Sequence, residues 1–189
     1  MTKRARTFDD LHARDRDPWG TESSHYEAAK FARTLAALPR PRFRRALDVG
    51  CSVGVLTRRL AQRCDHVLAV DVSEVALSAA RRRCAGQHVS FRRGEVPEDF
   101  PEGRFDLVVL SEILYFLSPA EVARTRGRVM RAIRPGGSVV LVNFLGPCDL
   151  ALCGEEAADL FCAGLAARFA EARTARPGGY RIDVLTAAR

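Results

Sequence analysis

Beyond residue 45 the chain alternates short apolar runs with amphipathic stretches. The runs RALDVG (45–50), HVLAVD (66–71), HVSFRRG (88–94), FDLVVLSE (105–112) and SVVLVNFL (138–145) read as strands. Near-continuous apolar character of this kind predicts strands buried on both faces of a parallel sheet. Between them, VLTRRLAQRC (55–64), EVALSAARRRC (74–84) and PAEVARTRGRVMRAI (119–133) have helical spacing. Ser73 is placed to cap the second of these, and Ser118, followed by Pro119 and Glu121, the third. Arg134-Pro135-Gly136-Gly137 is expected to end that helix and turn the chain into the next strand. A further helix is expected over EEAADLFCAGLAARF (155–169), after the linker GPCDLALCG. Two short strands around Pro177-Gly178-Gly179 would then form a closing hairpin. Residues 1 to about 40 are polar, then helical. The expected fold is therefore α/β, with right-handed βαβ units and helices on both faces.

Composition changes this picture little. A chain of 189 residues, 47% hydrophobic and 28% charged, fits one domain with one core. No apolar run approaches the roughly 20 residues that span a bilayer. The basic N-terminus has no apolar stretch behind it, so a cytoplasmic protein without a membrane partner is expected. The net charge is +7, but Lys3 and Lys30 are the only lysines; this reads as the codon bias of a GC-rich genome rather than as a nucleic-acid footprint. Six cysteines, at 51, 64, 84, 148, 153 and 162, form no C-x-x-C pair, and no metal site is expected.

The chemistry concentrates at the ends of the strands. In ALDVGCSVGVLTRRLA (46–61) a strand ends near Asp48, a loop carries Gly50, Cys51, Ser52 and Gly54, and a helix follows. Gly50 would let a cofactor approach the backbone, and Gly54 would let the helix pack on the strand. The spacing is not the G-x-G-x-x-G of dinucleotide enzymes, and a carboxylate at Asp48 would repel a pyrophosphate. It suits a cofactor bearing an ammonium and a sulfonium, as S-adenosylmethionine (SAM) does. Asp71 ends the second strand, where an acid accepts hydrogen bonds from ribose hydroxyls, with Val72 beside it. After the third strand, either the Glu95 side chain or the Val96 amide would face the adenine. Ser111 and Glu112 close the fourth strand, and Glu112 would lie beside the sulfonium or an acceptor amine. In the N-terminal segment, Tyr26 and Lys30 are four apart and share a helix face. Lys30 would bind the cofactor carboxylate, and Trp19 would stack on the cofactor or on a sugar ring. Tyr26 and Glu27 would meet the substrate, and this lid is expected to be mobile until the cofactor binds.

The loop, Asp71 and the RPGG turn resemble class I SAM-dependent methyltransferases. That resemblance implies a Rossmann-like, seven-stranded, mostly parallel sheet of order 3-2-1-4-5-7-6, in one domain made of a helical lid (1–40) and a core (41–189). Ser52 departs from the third loop glycine of many members. DPWG (17–20), SSHYEAAK (23–30), DVGCSVGVLT (48–57), FDLVVLSEILYFLS (105–118), NFLGP (143–147) and YRIDVL (180–185) resemble the nodulation protein S (NodS) family more narrowly, and the loop GCSVG is shared with that group. The resemblance implies N-methylation of a free amine on a deacetylated chitooligosaccharide or related amino sugar. Glu112 is the expected catalytic residue that orients the amine or takes its proton, with Tyr115 or Glu27 as alternates. Pro147-Cys148 follows the fifth strand, not the fourth as in the pyrimidine C5-methyltransferases of DNA, so a nucleophilic role for Cys148 is not expected. Other readings are a small-molecule O-methyltransferase, an RNA-modifying methyltransferase, or a SAM-binding module without turnover.

Overall fold

The computed structural model describes residues 2–165 and 168–188. Two helices come first, α1 (Lys3–Arg14) and α2 (His25–Ala36). Then follow β1 (Phe43–Val49), α3 (Val55–Ala61), β2 (Cys64–Asp71), α4 (Glu74–Arg83), β3 (Val89–Arg93) and β4 (Phe105–Ser111). A short 3₁₀ turn (Leu114–Phe116) leads to α5 (Pro119–Ala132), β5 (Ile133–Phe144), α6 (Gly154–Cys162), β6 (Phe169–Ala175) and β7 (Tyr180–Ala187). The strands form one sheet of order β3-β2-β1-β4-β5-β7-β6. The first five strands pair in parallel, and β7 runs antiparallel to both β5 and β6. This is the expected class I order. Among the described residues no helix is long and apolar enough to cross a membrane.

The period-2 alternation of side chains explains why the central strands are apolar throughout. Val108, Leu110, Val139 and Leu141 enter one core with Val122 and Val129 of α5 and Phe161 of α6. Their neighbours Leu107, Val109, Val140 and Val142 enter a second core with Phe31 of α2 and Leu56 and Leu60 of α3. Both caps read from the sequence are present. Ser73 Oγ accepts from the Ala76 amide, and Ser118 and Glu121 form a reciprocal capping box with Pro119 at the helix start.

Some boundaries differ from the sequence reading. Arg134-Pro135-Gly136-Gly137 follows the end of α5 but belongs to β5, which begins at Ile133. Gly136 takes a left-handed φ of 68°, and the pairing of β5 with β4 shifts register between Phe105 and Leu107, so the turn is absorbed as an irregularity inside the strand. The helix expected over 155–169 stops at Cys162, because Gly164 turns left-handed at φ 73°. Residues 166 and 167 of that stretch lie outside the described residues.

Candidate active site

The carboxyl ends of β1, β2 and β4 meet the N-terminal helices around a cavity of about 460 Å³. Strand order reverses between β1 and β4, and such a switch point opens a crevice between the loops that leave the two strands.

The β1–α3 loop forms the floor. Gly50 and Gly54 both have left-handed backbones, with φ of 77° and 81°. A Cβ at Gly50 would stand 2.0 Å from Ile113 Cγ2, so this glycine admits the loop that follows β4. A Cβ at Gly54 would stand 2.9 Å from Ala80 Cβ, so the helix that Gly54 lets approach is α4, rather than α3 against its strand as the sequence suggested. Ser52 is also left-handed, at φ 48°, and its amide donates to Asp71 Oδ2 at 2.8 Å. The Ser73 amide donates to Asp71 Oδ1 at 2.9 Å, so two backbone N–H groups fix this carboxylate at the cavity. Burial raises the Asp71 pKa and these bonds oppose the rise. Asp48 is buried and accepts from Thr57 Oγ1 at 2.7 Å. Burial pushes its carboxyl up to about 6; the Thr57 bond opposes and the charge of Asp71 adds. Burial, with the charges of Asp71 and Asp48, pushes the Cys51 thiol well above its usual range, so it stays protonated and unreactive.

Opposite the floor stands a polar cluster centred on Glu112. Its backbone is left-handed, at φ 57°, a strained choice for a residue with a Cβ. Three donors hold its carboxylate: Lys30 Nζ to Oε1 at 2.8 Å, and both Tyr115 Oη, at 2.5 Å, and the Phe144 amide, at 2.9 Å, to Oε2. Lys30 also donates to Glu27 Oε1 at 2.8 Å, within α2. Burial pulls the Lys30 pKa down, but Glu112 and Glu27 more than offset this and hold it above its ordinary value. Burial and the charge of Glu112 push Tyr115 far upward, so it remains a neutral phenol that donates to Glu112. Two carboxylates and one ammonium leave the cluster with one negative charge.

Of the residues singled out from the sequence, all but Gly54 border this one cavity: Val72 after β2, Glu95 and Val96 after β3, Ser111 at the end of β4, and Trp19, Tyr26, Glu27 and Lys30 from the N-terminal segment. The structure adds α1, which the sequence reading passed over. Asp9 accepts from Ser73 Oγ at 2.8 Å and from Arg93 Nη2 at 2.9 Å. Arg4 donates to Glu95 Oε1 at 2.6 Å and to Glu121 at 3.1 Å, and Thr2 also bonds Glu95. The Glu95 carboxylate thus fastens α1 to the core. These anchors bring Phe8 and His12 to the cavity wall. Four large apolar side chains stay exposed at its rim: Trp19, Tyr26, Phe144 and Leu150.

A model of the methyltransferase domain matches residues 46–137. Nodulation protein S of Rhizobium tropici is 34% identical over 127 residues, which cover 66% of this chain and 53% of that protein. A ubiquinone biosynthesis O-methyltransferase of Methylococcus capsulatus is 37% identical over 101 residues, covering 51% and 41%. Among solved structures, N-methyltransferase NodS from Bradyrhizobium japonicum WM9, in complex with S-adenosyl-L-homocysteine (SAH), superposes with a TM-score of 0.84 at 19% identity, over 98% of this chain and 99% of that one. The chain spans about half the length of the nodulation protein S sequences it matches, 49–59%.

Proposed function

We propose that this chain, which has the class I SAM-dependent methyltransferase fold and resembles the NodS family, methylates a free amine of a deacetylated chitooligosaccharide or related amino sugar. The observation that carries this reading is the Glu112 cluster. A fixed carboxylate, in a site with one unit of net negative charge, faces the same cavity as the cofactor loop. Such a site favours an acceptor that carries, or develops, one positive charge.

The cavity residues fit SAM. Asp48 and Asp71 supply negative charge and ribose acceptors, and Gly50, Cys51, Ser52 and Gly54 shape the floor, with the buried Ser52 Oγ without a hydrogen-bond partner among the described residues. Val72, Val96 and Ser111 line the adenosine side. When bound, SAM supplies an activated methyl group for in-line displacement. The protein's own contribution is alignment. Glu112 accepts a hydrogen bond from the incoming amine, aims its lone pair, and stabilises the positive charge that grows on nitrogen. Lys30 and Tyr115 act through Glu112, holding its carboxylate in one orientation. Lys30 is therefore a fixed counter-ion between two acids, and its third N–H is left for the cofactor carboxylate. Trp19, Tyr26 and Phe144 give the rim flat apolar faces, which suit sugar rings. Helices α1 and α2 form the lid on the core. Six free cysteines, three of them buried, fit the reducing cytoplasm.

Labelled SAM with partly deacetylated chitooligosaccharides tests the reading, with fully acetylated oligomers as control. Transfer confined to the deacetylated set supports an amine acceptor. The match to an O-methyltransferase favours a second reading, a hydroxyl acceptor. No transfer to any amine, with SAH bound, would support that reading instead.

A further inference from the structure

The segment YRIDVL opens β7, and its first residue, Tyr180, is 1% exposed and does not border the cavity. It is nevertheless tied to two of the three donors that hold Glu112. Within the sheet, Tyr180 pairs with Phe144, whose amide donates to Glu112 Oε2, and beside them the Leu145 amide donates to Gly179 O at 2.9 Å. The second tie runs through α2. Tyr26, Lys30 and Arg33 recur at i, i+4 and i+7 and so share one face of that helix. The Tyr26 and Tyr180 rings stand perpendicular, 5.7 Å between centroids. Arg33 Nη1 donates to Tyr180 Oη at 3.3 Å and to Pro177 O at 3.0 Å. Between these contacts along α2, one turn from each, Lys30 Nζ reaches Glu112 Oε1 at 2.8 Å.

We propose that Tyr180 is a positioning residue for methyl transfer. It sets the separation of α2 from the end of β5, and with it the grip of Lys30 and the Phe144 amide on Glu112. This rests on the amine-acceptor role given to Glu112 above. Tyr180 touches no ligand and acts only through that carboxylate. Its ring bears on Tyr26 and its hydroxyl on Arg33, so one side chain fixes the helix face on both sides of Lys30. The same residue fixes Phe144 through the strand pairing. Removing the hydroxyl or the ring lets α2 shift on the sheet, which moves Lys30 and turns the Glu112 carboxylate away from the acceptor. A small misplacement of an aligning group costs rate even where binding survives.

The experiment measures methyl transfer to partly deacetylated chitooligosaccharides at saturating SAM, so that cofactor affinity drops out. The proteins are the parent chain, Tyr180→Phe, Tyr180→Leu and Arg33→Gln, each alone and combined with Glu112→Gln. Tyr180→Phe and Arg33→Gln should lower kcat/KM about threefold, and Tyr180→Leu about tenfold. In the Glu112→Gln background each should cost less than about twofold, because the group they position is already lost. Arg33 is exposed, so its variant carries the test if the buried Tyr180 variants fail to fold. Equal losses in both backgrounds, or no loss in Arg33→Gln, would overturn the assignment. A second reading needs no acceptor: acylation of Lys30 in the free protein by acetic anhydride, followed by mass spectrometry, with Lys3 as the reference. Lys30 should react about threefold faster in Tyr180→Phe and Arg33→Gln than in the parent. An unchanged rate would overturn the assignment as well. If the parent methylates no amine, the acceptor reading falls, and the Lys30 rates alone decide whether Tyr180 positions the cluster.

Discussion

Asp48 lets the electrostatics of the site be tested without any acceptor. Its carboxyl is buried and its pKa is raised from 3.8 to about 6. The folded protein therefore holds this proton more tightly than the unfolded chain. The resulting stability is fully present below about pH 3.8 and is lost as pH rises through about 6. At 1.4 kcal/mol per tenfold change in proton affinity, the ionised carboxylate costs the free protein about 3 kcal/mol at pH 8 and about half of that at pH 5. Asp48→Asn removes the titration while leaving the Thr57 hydroxyl an oxygen to bond. The buried amide has its own cost, but that cost does not change with pH. The variant should therefore gain on the parent by about 1.5 kcal/mol between pH 5 and pH 8, or about 3–6 °C of melting temperature for a chain of this length. In return it should bind SAH about 10–100-fold more weakly, through loss of a charge-assisted partner for the ligand's ammonium. Thermal unfolding at both pH values, with and without SAH, reads both effects. A melting difference between variant and parent that is the same at pH 5 and pH 8 would refute the burial argument. Unchanged SAH affinity would refute the role given to the charge.

Glu112→Gln keeps the shape of the cluster but removes its negative charge; initial rates should show kcat/KM down by about 10–100-fold with SAH affinity within about twofold of the parent. Equal rates would exclude Glu112 from the chemistry. Gly50→Ala would place a Cβ 2.0 Å from Ile113 in a left-handed backbone, and should cost more than about 2 kcal/mol in denaturant unfolding. Adding Ile113→Ala should recover the steric part and leave the strain of the left-handed backbone. Limited proteolysis should nick the chain near Trp19, between α1 and α2, and SAH should slow that cleavage; a rate that SAH leaves unchanged would count against the lid.

The sheet was legible because its central strands are buried on both faces. Burial on both faces confines polar residues in FDLVVLS and SVVLV to Asp106, Ser111 and Ser138 near the ends, so the apolar runs stand out from their surroundings. The boundaries that moved did so at glycines. A glycine signals a break in both helix and strand, and only the fold shows whether Gly136 separates a helix from a strand or kinks the strand itself.

The two N-terminal helices were legible only in part, and the reason is physical. Helix α2 carries Phe31 into the core and so has an apolar stripe to read. Helix α1 has a short one in a strongly polar helix: Ala5 and His12 are buried, Phe8 packs on Phe116, and Arg4, Asp9 and Thr2 attach it through polar bonds to Glu95, Glu121 and Ser73. Periodicity stands out where a helix buries much apolar area, whereas most of the attachments of α1 are polar bonds beside the cavity. Glu112 lies between these cases. Its place at the end of β4 marked it as a candidate, since ligands gather where strand order reverses. Its left-handed backbone could not be read, because glutamate has no preference for that conformation. The strain, of the order of 1–3 kcal/mol, persists because three donors and the pairing of its amide with the Val142 carbonyl fix the residue from four directions. A carboxylate held that way pays no reorganisation when charge develops beside it, which is the property the proposed amine acceptor site needs most.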